Sequence, residues 1–213
     1  MRTKYGGTAF KNAHTHCSHF LFIGGVYMKV FLACSASNSL AKEYYELACN
    51  VSEIFAKRGH KLVFGGFDKG MMEKCYMTFK YNESRVKAVA TVADSEYIED
   101  LELDAKEIVP KTFDRTKRLY EIADVMVILP GGIGTIAEFF SMLDYCRCSN
   151  YDKKPIVLFN YHDYYTPIIN MLKGMYESNF CNKNDLKEFN IITNLDGLEF
   201  YLKQLELDEK GEK

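Results

Sequence analysis

Pro130-Gly131-Gly132-Ile133-Gly134-Thr135-Ile136-Ala137-Glu138 is the stretch on which the reading of this chain turns. The run Val125-Met126-Val127-Ile128-Leu129 leads into it, too short and too β-branched at its start for a helix, so it reads as a buried strand. Residues 139–146 lead out, long enough for a helix and apolar on nearly every face, hence deeply buried. Between strand and helix, Gly131, Gly132 and Gly134 let a ligand approach the backbone closely. The first N–H groups of the helix then point out of the turn with the dipole behind them, which suits a phosphate or another anion. Thr135 adds a hydroxyl to the same anion, and Glu138 falls on about the second turn of the helix, near the rim of the pocket. A tight packing turn is the competing reading. Against it stand the carboxylate at a fixed helical offset and a cluster of cations just upstream.

Outward from this turn, strands and helices alternate. Residues 29–33 read as a first strand, followed by the small polar loop Cys34-Ser35-Ala36-Ser37-Asn38. An amphipathic helix follows, with Leu40, Tyr44, Leu47, Ala48, Val51, Ile54 and Phe55 on one face. Ser37 or Asn38 is placed to cap its start and Gly59 to end it. Residues 61–64 form a second strand, and a second glycine turn, Gly65-Gly66-Phe67-Asp68-Lys69-Gly70-Met71-Met72, opens a helix to about residue 80. Weaker strands at 86–91 and 107–109 flank an acidic segment, 94–104, whose charges read as a solvated face. A helix over 111–120 carries Arg115 and Arg118 three apart, on one face, and feeds the strand before the glycine turn. Strand 155–159, helix 165–176, strand 190–193 and helix 195–207 complete the pattern. Such alternation predicts an α/β fold, a single-domain, Rossmann-like, doubly wound parallel sheet with helices on both faces. Ligands bind at the carboxyl edge of such sheets, where loops 34–38, 65–70 and 131–135 gather.

The 213 residues fit one domain, 28–207, between a leader, 1–27, and a charged tail, 208–213. The leader shows no periodicity and is expected to be disordered or not native, the functional chain beginning at Met28. A metal cluster of His14, His16, Cys17 and His19 is the rival reading for it. A net charge of −2 gives no global attraction to nucleic acid. No apolar stretch is long enough for a membrane span. The expected partner is therefore a small molecule, with neither nucleic acid nor membrane involved. Seven cysteines without a Cys-x-x-Cys pair read as reduced thiols of a cytoplasmic protein, Cys146-Arg147-Cys148 being incidental. The first strand is not followed by G-x-G-x-x-G, and no Walker lysine follows the glycine turn, which excludes a dinucleotide fingerprint and a P-loop. What remains is a site for one phosphate, on a mononucleotide or a sugar phosphate. His60 and His162 read as structural.

The nonapeptide, as Pro-Gly-Gly-x-Gly-Thr-x-x-Glu, resembles the signature of the Lonely Guy family, often mislabelled lysine decarboxylases. Its members are phosphoribohydrolases that release the free base and ribose 5-phosphate from nucleoside 5′-monophosphates, AMP and cytokinin riboside monophosphates among them. Gly65-Gly66-x-x-x-Gly70-Met71-Met72, Asp124 and the segment from Lys154-Pro155 to Asn160 also match, and the resemblance covers nearly all of the chain from Met28. The family's Arg-Lys pair lies fifteen residues before the motif's proline, which lands on Arg115. The resemblance implies catalytic Arg115 and Glu138, and a phosphate site of Gly131, Gly132, Gly134 and Thr135. It implies substrate contacts at Ser35, Gly66, Met71 and Arg118, a homodimer, and neither cofactor nor metal. The same fold also admits non-catalytic nucleotide or molybdenum-cofactor binding proteins. The chain departs from the pattern at Thr116 (lysine in the family), at Phe67 and Glu73 (glycines), and at Cys34-Ser35 (Gly-Ser).

Overall fold

Each apolar run that reads as a strand pairs with a neighbour in one sheet. The computed structural model describes residues 26–148, 150–209 and 211. Both the leader up to residue 25 and the His14, His16, Cys17 and His19 cluster lie outside the described residues. The strands are β1 (Lys29–Ala33), β2 (Lys61–Phe64), β3 (Val86–Thr91), β4 (Ala105–Val109), β5 (Val125–Ile128), β6 (Ile156–Phe159) and β7 (Asn190–Ile192). They lie in the order β4-β3-β2-β1-β5-β6-β7, and every neighbouring pair is parallel. The helices are α1 (Lys42–Ala56), α2 (Gly70–Tyr81), α3 (Thr112–Ile122), α4 (Ile133–Arg147), α5 (Thr166–Glu177) and α6 (Leu195–Glu209).

Two buried clusters, one on each face, hold the layers together. Val30 and Leu32 of β1 point into the cluster built with α1, α2 and α6, while Phe31 and Ala33 point into the one built with α3, α4 and α5. This is the two-residue alternation of a strand. Burial on both faces explains why the central strands are unbroken apolar runs. The chain winds outward from β1 through β2, β3 and β4, then returns to pair β5 against the other side of β1, Ala33 opposite Ile128. The direction of winding reverses there, so the loops after Ala33 and Ile128 diverge and open a crevice.

The amino edge of the sheet is closed by satisfied polar groups. Asp124 Oδ2 accepts the Lys29 N–H at 2.7 Å and ties β5 to β1. Lys154 Nζ donates to the carbonyls of Tyr120, Glu121 and Ala123 at 2.7–2.8 Å, capping the end of α3. His60 is structural as read: its Nδ1 accepts the Met28 N–H at 3.1 Å, and its Nε2 meets Glu206 at 3.0 Å. His162 stacks on Tyr161, ring centroids 4.0 Å apart.

Three expectations are corrected. Neither Ser37 nor Asn38 caps α1, which starts after Ala41 without a side-chain cap. Asn38 Oδ1 instead accepts the Gly70 N–H at 2.8 Å, because loop 34–38 is drawn against the start of α2, where Ser35 O also takes the Met71 N–H at 2.9 Å. The acidic segment is not merely a solvated face. It opens as a 3-10 turn, Val92–Ile98, that buries Ile98, and Asp104 accepts the Val86 N–H at 2.8 Å. Finally, α4 buries Phe139, Met142 and Leu143 but leaves Ile136, Phe140 and Tyr145 half-buried, since one sheet covers only one side of a helix.

Candidate functional site

Gly132 is the N-cap residue of α4 and brings no side-chain cap. The first intrahelical bond there runs from the Ile136 N–H to Gly132 O, so the N–H groups of Ile133, Gly134 and Thr135 precede it and have no partner among the described residues, which leaves them able to meet a ligand. A Cβ built on Gly132 or Gly134 meets nothing within 4 Å. Thr135 is buried and folds back on Gly131, where a Cβ would come within 2.2 Å of its Oγ1. Two tyrosines that sequence reasoning missed orient the turn. Tyr165 OH donates to Leu129 O at 2.7 Å, and Tyr164 OH donates to Gly131 O at 2.8 Å. With those carbonyls held from behind, the amides face the crevice. Burial, helped by Tyr164, Cys34 and Glu138 nearby, keeps the Tyr165 phenol protonated far above its usual range, so it stays a donor. Nothing in the sequence marks this pair beyond its place after β6.

Glu138 is the carboxylate that α4 turns inward. It is only 6% exposed, so it forms part of the wall of the crevice and not its rim. Arg115, on the first turns of α3, places Nη2 3.8 Å from Glu138 Oε1. Burial pushes the Glu138 carboxyl up to about 7, and Arg115 pulls the other way without winning. The guanidinium also reaches Asp94 Oδ2, 3.3 Å from Nη1, and lies 5.6 Å from the centre of the Phe67 ring. Its Nε is buried with no hydrogen-bond partner among the described residues. Asp94 is the charged neighbour that sequence reasoning assigned to solvent. The signal for it was present: Thr91-Val92-Ala93-Asp94 has capping-box spacing.

The other candidates fall in different places. Arg118 reaches over the edge strand, pairing with Glu107 at 2.7 Å and Glu121 at 3.3 Å, and does not join Arg115 beside Glu138. Met71 is wholly buried in the core, and Gly66 is covered by Ile98, so neither presents a side chain to the crevice. Ser35 stays partly exposed at the end of β1, with its Oγ accepting the Ser37 N–H at 3.1 Å. At the position of the family's lysine, Thr116 is 5% exposed and donates to Thr112 O, which a buried site accommodates more readily than a lysine. Phe67 packs against Tyr97, ring centroids 5.2 Å apart, and Glu73 lies on the surface beside Lys74. A cavity of about 510 Å³ around Lys117, Tyr120, Tyr151 and Lys154 sits at the opposite, amino edge and holds none of these groups.

A cytokinin riboside 5′-monophosphate phosphoribohydrolase of Rhodococcoides fascians is 27% identical over 146 residues, covering 68% of this chain and 73% of the relative. The protein of that name from Mycobacterium tuberculosis is 23% identical over 167 residues, 78% of this chain and 88% of the relative. Among solved structures, the molybdenum cofactor carrier protein of Chlamydomonas reinhardtii superimposes with a TM-score of 0.63 over 84% of this chain and 98% of its own, at 18% identity, a likeness of fold alone. The family model described as "Possible lysine decarboxylase" matches residues 69–199, more than half of the chain and all of the Arg115-to-Glu138 region. The chain belongs to that family, the Lonely Guy family.

Proposed function

We propose that this protein hydrolyses the N-glycosidic bond of a nucleoside 5′-monophosphate, AMP or a cytokinin riboside monophosphate, giving the free base and ribose 5-phosphate. The observation that carries the reading is the Arg115–Glu138 pair, 3.8 Å apart and buried, beside uncapped helix amides at the β1/β5 crevice. A turn that only packs needs the glycines but no buried carboxylate, and burial without purpose costs several kcal/mol.

Each group has work in the reaction. The amides of Ile133, Gly134 and Thr135 hold the 5′-phosphate. That fixes the ribose against Glu138. As the C1′–N bond breaks, its electron pair leaves with the base and positive charge builds on the sugar. Ionised Glu138 faces that charge and orients the attacking water, whose oxygen bonds to C1′ and whose proton the carboxylate takes; that proton ends on the nitrogen of the departed base, which restores the ionised carboxylate. Arg115 sets the position of phosphate or sugar. Names of relatives and the membership of the family support this reading, and the protein is proposed to act as a cytoplasmic homodimer. The half-buried Ile136 and Phe140, with Ile133 89% exposed at the mouth of the turn, are where a second copy would pack.

Incubation with AMP, adenosine and ATP at equal concentration tests it, with adenine as the readout. Adenine should come from AMP far faster than from either of the others, since one glycine turn takes one phosphate. Binding of AMP without adenine release would instead place the chain with non-catalytic nucleotide or molybdenum-cofactor binding proteins of this fold.

A further inference from the structure

We propose that Asp94 is a positioning residue of this site: it shares the Arg115 guanidinium with Glu138, fixing it beside Phe67 and withholding part of its charge from the Glu138 carboxylate. The inference rests on the reading of Arg115 and Glu138 as the working pair. Asp94 is held before Arg115 reaches it. Thr91 ends β3 and is the N-cap residue of the 3-10 turn. Its Oγ1 accepts the Asp94 N–H at 3.2 Å and donates to Asp94 Oδ2 at 2.6 Å. That same Oδ2 takes Arg115 Nη1 at 3.3 Å, while the other arm, Nη2, lies 3.8 Å from Glu138.

A guanidinium facing one carboxylate makes a parallel two-bond fork, the strongest form of this pair. Here its two arms go to two different carboxylates, so Glu138 gets one long contact. The Arg115 guanidinium reaches Glu138 from α3, and the Glu138 charge also acts on the Cys34 thiol after β1 and the Tyr165 hydroxyl before α5. Arg115 is the only cation among them, so whatever Asp94 takes from it Glu138 loses. A purely structural Asp94 would only hold Thr91 at the start of the 3-10 turn and leave the ionisation of Glu138 alone.

Titration of the full chain, with ¹³C-labelled glutamate side chains read by NMR and the Glu138 resonance assigned through Glu138→Gln, separates the two roles. Asp94→Asn removes a negative charge and frees the guanidinium, and both changes favour ionised Glu138. Its midpoint should fall by about one pH unit. In an Arg115→Met background the same Asp94→Asn change should lose most of its effect. An unmoved Glu138 midpoint in Asp94→Asn, or an equal shift with and without Arg115, overturns the proposal. If Asp94→Asn does not fold, Thr91→Val unties the carboxylate while keeping its charge. It should lower the midpoint by less, and no shift there overturns the proposal as well. The acid limb of AMP hydrolysis should move with the midpoint. A wild-type chain that releases no adenine sinks the proposed activity, while the titration still decides the role of Asp94.

Discussion

The molecule contains two strand-to-helix glycine turns that look alike in sequence and differ in what fills them. After β2, Gly66 and Gly70 both take positive φ, +80° and +61°. The space beside them is already occupied: a Cβ at Gly66 would sit 2.5 Å from Ile98, and one at Gly70 2.6 Å from the backbone of Ala36 and Ser37. The first amides of α2 are spent as well, on Asn38 and Ser35. After β5, Gly132 and Gly134 face open space, and the N–H groups of Ile133, Gly134 and Thr135 at the start of α4 have no hydrogen-bond partner among the described residues. Each turn is followed by a glutamate, Glu73 on the surface beside Lys74 and Glu138 in the wall beside Arg115. Where the chain satisfies its own amides, the turn is architecture. Where it leaves them free beside a buried carboxylate, the turn can bind and react.

The largest effect expected from this contrast is on turnover. Glu138→Gln should lower kcat/KM for AMP by about 10³ while AMP still binds, in keeping with the loss of one charge aimed at the transition state. Glu73→Gln should leave turnover within about twofold. Steady-state adenine release measures both, and near-normal turnover by Glu138→Gln would remove that residue from the mechanism.

Next comes stability at the first turn. Gly70→Ala adds a methyl group against backbone that cannot swing aside, at a φ that L side chains rarely adopt. Strain and overpacking together should cost roughly 2–4 kcal/mol, read as a lower denaturant midpoint with unchanged slope.

The second turn instead contributes a pH dependence. Glu138 has a folded-state value of about 7, above that of an unfolded glutamate near 4.3. Between those two values the folded chain holds a proton that the unfolded chain has released, so stability falls as pH rises through that window and levels off above it. The loss is on the order of 3–4 kcal/mol, at about 1.4 kcal/mol per pH unit of that window. Denaturation of wild type and Glu138→Gln from pH 4 to pH 8 should show the variant as the more stable of the two at pH 8, the difference shrinking toward pH 4. Parallel curves across that range would mean that Glu138 ionises normally.

The fold was legible because both faces of the sheet are covered. The runs 29–33, 61–64 and 86–91 are read to the residue, since an apolar strand bounded by turn residues has few other places to go. Edge elements were less clear: β4 begins at Ala105, two residues earlier than its polar sequence shows, because Glu107 and Lys87 pair across the ladder. The glycine turn and Glu138 were legible from spacing alone. The local spacing marks Asp94 as tied to Thr91, but not its contact with Arg115, which lies 21 residues away and is brought to it only by the return of α3 over the sheet. The cap on α2 was missed for a related reason. Asn38 sits just before one helix in sequence and caps another 32 residues on, and no local rule distinguishes the two. Arg118 shows the converse. Sharing a helical face with Arg115 puts it in the same row, but the ends of long side chains follow their partners, here Glu107 and Glu121.

The smallest effect probes the open space itself. Gly134 lies in the first turn of α4, and apart from its chain neighbours and its own helix backbone a Cβ there meets nothing among the described residues within 4 Å. Gly134→Ala should therefore cost the fold nothing and stabilise it by a few tenths to about 1 kcal/mol, since alanine is the better helix former and loses less entropy on folding. The same methyl group projects into the space over the free amides, where a bound phosphate would sit. AMP binding should weaken by about tenfold, equivalent to about 1.4 kcal/mol, while binding of adenosine, which has no phosphate to place there, should not change. Calorimetric titration of both ligands, beside a thermal melt, reads the two halves of this expectation separately. A variant that melts higher and binds AMP as wild type does would show that the space over Gly134 is not where the phosphate goes. The difference between the two glycine turns would then be one of packing alone.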